Sequence, residues 1–260
     1  MFKINWFKAS FLLISFFITI LLIGAILSLF MVPNFKEIWT NLLTSEMIFS
    51  LKLSLTTSLI SSLLVMFFAL PIGYTLSRFE FWGKTLVKTI CDLPVAFPEL
   101  VLGLCLLLLF GNTGFGSMLQ KLGLNFVFTK QGIVAAQFFT ALPYAIRIMK
   151  STFDFINPRL EFVSRSLGYT QYETFINVSL PLAKSGIIAS SVISFARCIG
   201  TFGTVLILAG GSYMQTEVLP ITLYLNISYG NMGMAITSGI VLVIISFLAI
   251  FIFEKAEVSL

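Results

Sequence analysis

The chain has 260 residues, 58% of them hydrophobic and 10% charged, and its mean hydropathy is +1.01. Water-exposed surface must be covered with polar groups, so this composition excludes a soluble domain and implies a polytopic membrane protein. The formal charge is +5 with no His, and Cys91, Cys105 and Cys198 stand singly in apolar context, which removes the usual residues of zinc sites and His-based catalysis.

The apolar runs are much longer than a barrel strand, so the spans are expected to be α-helices. The fold expected is all-α, a single transmembrane domain over residues 1–260 with six spans. The first span, about 11–32, follows Lys3 and Lys8 and lacks a small-residue cleavage site, so it reads as uncleaved. The second, about 49–77, is long enough to tilt, and carries Pro71. The third, about 86–110, holds Pro94, Pro98 and Glu99; the fourth, about 131–153, holds Gln137 and Pro143. Each of these prolines removes a helix hydrogen bond inside a span. Such kinks serve either a lined pathway or packing alone.

A dense polar block, LEFVSRSLGYTQYETFINVSLPLAKSGI from Leu160 to Ile187, interrupts the apolar pattern. Asn157 before Pro158 is a helix-start signal, with an N-cap side chain and Pro at the first position. Leu160, Val163 and Leu167 share one face of that helix, and Gly168 ends it. Thr170-Gln171-Tyr172-Glu173 reads as a capping box opening a second helix, which Pro181 is expected to stop. On pattern alone this pair, over 156–182, would rest on the membrane surface as interfacial helices.

The fifth span, about 183–209, has small residues every four positions: Gly186, Ser190, Ser194 and Cys198. That spacing lets helices approach closely, either within the bundle or across a dimer interface. Ser194, Arg197, Thr201 and Thr204 form a polar face beside it. An Arg inside a membrane span is costly; it serves either a pathway or a structural ion pair. The stretch 210–232 contains VLPITLYLNI, too apolar for a free loop, and is expected to dip back as a short helix. The sixth span is about 233–253. With the N-terminus inside, eleven Lys and Arg fall on the cytoplasmic side and four outside. Both termini are therefore expected in the cytoplasm, and the polar block with them. The basic excess answers to topology and anionic lipid, so no nucleic-acid partner is expected.

Gly168, Leu180 and Pro181 match in place the cytoplasmic signature loop of ATP-binding cassette importer permeases, E-A-A, three residues, Gly, nine residues, I-x-L-P. Val178 replaces the Ile, and Phe162, Val163 and Ser164 stand at the E-A-A positions with Glu161 one residue earlier. Leu160, Glu161, Leu167 and Gly168 resemble the form of this loop in the oxyanion branch. The stretches 93–111, 195–211 and 216–231 resemble permeases for molybdate, tungstate and sulfate.

The resemblance implies a multi-pass permease of a prokaryotic cell membrane, not itself an enzyme. Its implied partners are ATPase subunits carrying ATP and Mg, an external oxyanion-binding protein, and a second permease copy. It implies alternating access, with Glu161, Arg165, Leu167, Gly168, Tyr169 and Thr170 coupling the loop to the ATPase. Glu99, Gln137, Ser194, Arg197, Thr201 and Thr204 are the candidate pathway residues, with molybdate or tungstate favoured over sulfate or thiosulfate. Where the family often has G-E-F-G, this chain has Gly200-Thr201-Phe202-Gly203, so Glu99 is expected to replace the missing acidic partner of Arg197.

Gly83-Lys84-Thr85 echoes the end of a phosphate-binding loop, but the first Gly of that motif falls on Arg78, and no cofactor is expected on this chain. A membrane-embedded enzyme would need nucleophile and base at one depth, which the scattered Asp92, Glu99 and Arg197 do not provide. A secondary transporter or channel working alone would not need a cytoplasmic docking block.

Overall fold

The computed structural model describes residues 6–31 and 35–258, and every regular element among them is a helix. Lys3 and Val32, and the side chain of Lys255, lie outside the described residues. Helix α1 (Trp6–Met31) has no buried residue. Its apolar side chains point outward on every side, which only lipid or another chain can accommodate. Helix α2 (Phe35–Leu42) is short and amphipathic, and its Asn41 Nδ2 donates to Thr237 Oγ1 at 3.3 Å.

Helix α3 (Ser45–Arg78) is the central pillar, starting at the Thr44 N-cap and running unbroken through Pro71. A chain reversal then leads to α4 (Lys84–Ala96) and α5 (Glu99–Gly111), which meet at 117°. The third expected span is therefore two helices rather than one. Phe97 is extended because it precedes Pro98, and that junction breaks the helix. Helix α6 (Gly114–Lys121) caps the far end of α5, and α7 (Lys130–Phe155) returns without interruption through Pro143.

The polar block forms α8 (Pro158–Ser166), α9 (Gln171–Thr174), a π-turn (Phe175–Ser179) and α10 (Leu180–Leu182). Pro181 does not stop this second helix. Wider i→i+5 bonding, with Leu180 N donating to Phe175 O, precedes the proline and carries the chain past it. Ala183 then turns the chain by 72° into α11 (Lys184–Gly200).

The fifth expected span is also interrupted. Thr201 is extended, and α12 (Gly203–Ala209) starts afresh beyond Phe202. Helix α13 (Leu219–Ser228) is the expected short apolar helix, and α14 (Met232–Val258) completes the chain. Four helices, α1, α3, α7 and α14, are long and apolar enough to cross a membrane singly.

Two apolar clusters stack along α3 and α7. Leu53, Leu106, Ile133, Ala136 and Leu208 form the half near α6 and α12. Val65, Ala69, Met149, Phe153 and Cys198 form the half near the polar block. The helices cross closely at Gly73, where a Cβ would lie 2.6 Å from Met149 Cβ. The small stripe of α11 packs within this same bundle. Gly186 lies against Thr152, Ser190 Oγ approaches Ala145 O at 3.5 Å, and Cys198 Sγ lies 3.7 Å from Gln137 O. That settles the choice left open by the spacing: the stripe serves packing on α7.

Candidate functional site

The polar block folds as its caps require. The Asn157 side chain accepts from Arg159 N at 3.0 Å and starts α8. Gly168 turns the chain at φ +96°, a conformation costly for any residue with a Cβ. Thr170 Oγ1 accepts from Glu173 N at 3.2 Å, and Glu173 Oε2 accepts from Thr170 N at 2.7 Å, closing the capping box. The Thr170 amide holds the Glu173 carboxyl below its ordinary range, so the cap is intact at neutral pH and is lost as acid protonates it.

Arg165, Leu167, Gly168, Tyr169 and Thr170 are all exposed on this block. Phe162, Arg165, Ser166, Tyr169, Thr170 and Gln171 line an open recess of about 450 Å³. Phe162 is 72% exposed and Leu167 76%, an apolar surface on an otherwise polar segment.

Glu161 is not on that surface, because α8 turns it inward. Its carboxylate accepts two bonds from Arg78 Nε, at 2.9 and 3.0 Å, and one from Ser179 Oγ at 2.8 Å. Arg78 also donates to Ser77 Oγ and to Ile156 O. This buried ion pair ties α8 to the end of α3. Tyr74 adds aromatic contacts, 5.2 Å to Phe153 and 4.7 Å to Phe175 between ring centroids. The block is thus anchored to both long helices of the bundle.

The candidate pathway residues separate into two groups. Gln137 is buried, accepting from Ser61 Oγ at 3.0 Å and donating to Ser58 Oγ at 3.3 Å, so it joins α7 to α3. Ser194 donates to Ser190 O, and Thr201 to Arg197 O, within the local helix turn. Thr140 Oγ1 donates to Thr204 Oγ1, which donates to Glu99 O. These hydroxyls are spent on backbone and neighbouring helices, and the four residues Gln137, Ser194, Thr201 and Thr204 are buried.

Glu99 does not pair with Arg197, contrary to the expectation. Its carboxylate accepts from Phe202 N at 3.3 Å and Gly203 N at 2.9 Å. The broken helix leaves those amides free at the start of α12, and a carboxylate is the natural cap for such an end. The pairing spans over a hundred positions and has no local signature in the sequence.

Arg197 is exposed and stacks on the Tyr144 ring, its guanidinium carbon 4.1 Å from the ring centroid. Among the described residues its side chain makes no ion pair, so its donor fork is open. Arg197 lies thirteen residues into α11, so at the α-helical rise it stands ~20 Å from the helix start. One turn from Tyr144 on α7, Arg147 Nε donates to Asp92 Oδ1 at 2.6 Å. The sequence does not single out Tyr144 or Arg147, and it offers Asp92 only as a scattered acidic residue; the structure sets Tyr144 under Arg197 and Arg147 on Asp92. Arg147 counts toward cytoplasmic charge in the sequence, and nothing local brings α4, α7 and α11 together.

Residues 66–256 match the family described as binding-protein-dependent transport system inner membrane component. The chain is 34% identical over 181 residues to the molybdate/tungstate transport system permease protein WtpB of Pyrococcus abyssi, covering 70% of this chain and 67% of that one. It is 30% identical over 195 residues to the sulfate transport system permease protein CysT of Escherichia coli, covering 75% of this chain and 70% of the relative. The fold matches a bacterial ABC transporter for import of the acidic polysaccharide alginate, with TM-score 0.76 and 19% identity over 99% of this chain and 97% of that one. It also matches the inward-facing MetNI methionine ABC transporter, with TM-score 0.62 and 17% identity over 84% of this chain and 99% of that one. The matched profile, the two oxyanion relatives and the shared fold agree with the polar block: the chain belongs to the inner membrane components of binding-protein-dependent transport systems, the permease subunits of ATP-binding cassette importers, in their oxyanion branch.

Proposed function

We infer that this chain forms half of the translocation pathway of an ATP-driven importer for a tetrahedral oxyanion dianion, molybdate or tungstate in the first reading. The observation that carries the reading is Arg197, exposed ~20 Å along the apolar helix α11 with its fork open and its plane held on Tyr144. A guanidinium there is not tolerated against lipid, so this face borders water and a second copy of the permease. A planar fork suits a tetrahedral oxyanion, and an apolar wall strengthens the attraction. Glu99 supports this wall indirectly by fixing the α11–α12 break just beyond Arg197.

Energy enters at the polar block. The exposed surface of Arg165, Leu167, Gly168, Tyr169 and Thr170 docks a separate ATPase subunit, which binds ATP and Mg. Nucleotide-driven closure of two ATPases draws the α8–α9 pairs of two copies together. The Arg78–Glu161 pair and the Tyr74–Phe175 contact pass that displacement to α3, and Phe153 passes it to α7. An external binding protein delivers the anion at the opposite side of the membrane. In this reading both termini are cytoplasmic. Sulfate is the second reading, favoured by a relationship at 28% identity over 93% of this chain to a probable sulfate permease of Prototheca wickerhamii.

The test is reconstitution of the permease with its ATPase and binding protein in proteoliposomes. ATP-dependent uptake of molybdate or tungstate in preference to sulfate is expected, and calorimetry on the binding protein should show the same order. Gradient-driven uptake with no ATPase co-purifying would refute the importer reading.

A further inference from the structure

Asp92 and Arg147 form an ion pair on the face that carries Arg197, and their geometry is unlike a structural bridge. The Arg147 side chain is 54% exposed and that of Asp92 24%, whereas the buried Arg78–Glu161 pair is 9% and 11% exposed. Only Nε of Arg147 is engaged, and its two Nη groups bond no protein atom among the described residues. Exposed ion pairs contribute little to stability. The pair lies toward the polar-block end of α7, among the charges expected to be cytoplasmic and one turn before the Lys150–Asp154 pair.

Its position relative to Arg197 is defined by Tyr144. That ring holds Arg197 on one side, and Arg147 follows Tyr144 by one helical turn toward the α8 end of α7. Arg147 thus lies one turn beyond the ring that holds Arg197, on the side nearer the polar block. Asp92 belongs to α4, which has no buried residue and meets α5 through the extended Phe97 at 117°. The Phe97-Pro98 junction interrupts the helix between Asp92 and α5 and is the position available as a hinge.

We propose that Arg147 is a second anion station after Arg197, and that Asp92 is its resident counter-ion, exchanged for the travelling dianion and then displacing it. A carboxylate and a tetrahedral oxyanion offer the same acceptors to a guanidinium, so each competes for Arg147. A pathway must bind well enough to admit an anion and weakly enough to release it, and a tethered competitor supplies the release. No bond is made or broken in this exchange. The proposal rests on the oxyanion reading above.

The test uses the full transporter with radiolabelled sulfate and molybdate. Asp92→Asn should raise the label retained by washed, detergent-purified transporter about tenfold and slow uptake in proteoliposomes, because Arg147 then holds the anion unopposed. Arg147→Gln should lower the anions moved per ATP by about tenfold, and the double variant Asp92→Asn/Arg147→Gln should stay as low. Recovery of normal uptake in the double variant would show that the pair only neutralises itself, and overturns the proposal while leaving the oxyanion reading intact. Unchanged retention in Asp92→Asn overturns it equally, and decides the matter if Arg147→Gln fails to assemble. If the unaltered transporter moves neither anion, the functional reading fails and this proposal with it.

Discussion

Arg78 and Glu161 bury opposite charges where α8 meets the end of α3. Removing two ions from water is expensive, and the attraction between them offsets that cost only when the remaining donors and acceptors are satisfied. Here they are: Ser77, Ile156 and Ser179 take up the rest of the guanidinium and carboxylate. The pair is a joint whose two halves depend on each other. Glu161→Gln is expected to leave Arg78 uncompensated and cost ~3 kcal/mol, seen as a lower midpoint in thermal unfolding of the detergent-purified complex. The double variant Arg78→Met/Glu161→Leu should recover most of that loss, because an apolar pair leaves no stranded charge. No recovery would mean the joint does more than neutralise charge.

At the scale of elements, the α8–α9 pair is locally specified: its helix starts are capped and its turn is set by Gly168. Nothing lies within 4 Å of a Cβ placed at Gly168, so any effect of substitution there comes from backbone strain or from a docked partner, not from crowding in the protomer. Gly168→Ala should cost on the order of 1 kcal/mol in the turn. Gly168→Asp should insert normally but lose anion-stimulated ATP hydrolysis. Normal stimulation in that variant would remove Gly168 from the docking surface. The helix breaks behave differently. Phe97-Pro98 separates α4 from α5 through a proline rule, whereas the gap at Thr201 persists because Glu99 satisfies the amides it exposes.

For the whole molecule, the arrangement places the polar block and the α6 end at opposite poles of α7. With the block in the cytoplasm, a Cys introduced at Ser166 should react with an impermeant thiol reagent only from the inner side, and one at Ser117 only from the outer side. The reverse pattern would invert the assigned orientation. Arg197 and Arg147 are both exposed, and α1 buries no residue.

Much of this was legible in the sequence because the physics is local. Apolar run length identifies helices in lipid, and the caps at Asn157 and Thr170 with the turn at Gly168 specify the polar block's two helices without reference to anything distant. The resemblance at Gly168, Leu180 and Pro181 needed no tertiary information either. What the sequence alone could not decide is which polar side chain faces which neighbour. Gln137 and Thr204 look like pathway residues along their own helices, yet they bond α3, α7 and α5 and are hidden. Glu99 caps an end that exists only because α11 breaks, and Glu161 finds Arg78 across 83 positions. Side-chain direction follows from how the helices pack, and packing of this bundle is a property of the whole chain; only that packing left Arg197 and Arg147 exposed while turning Gln137, Ser194, Thr201 and Thr204 inward.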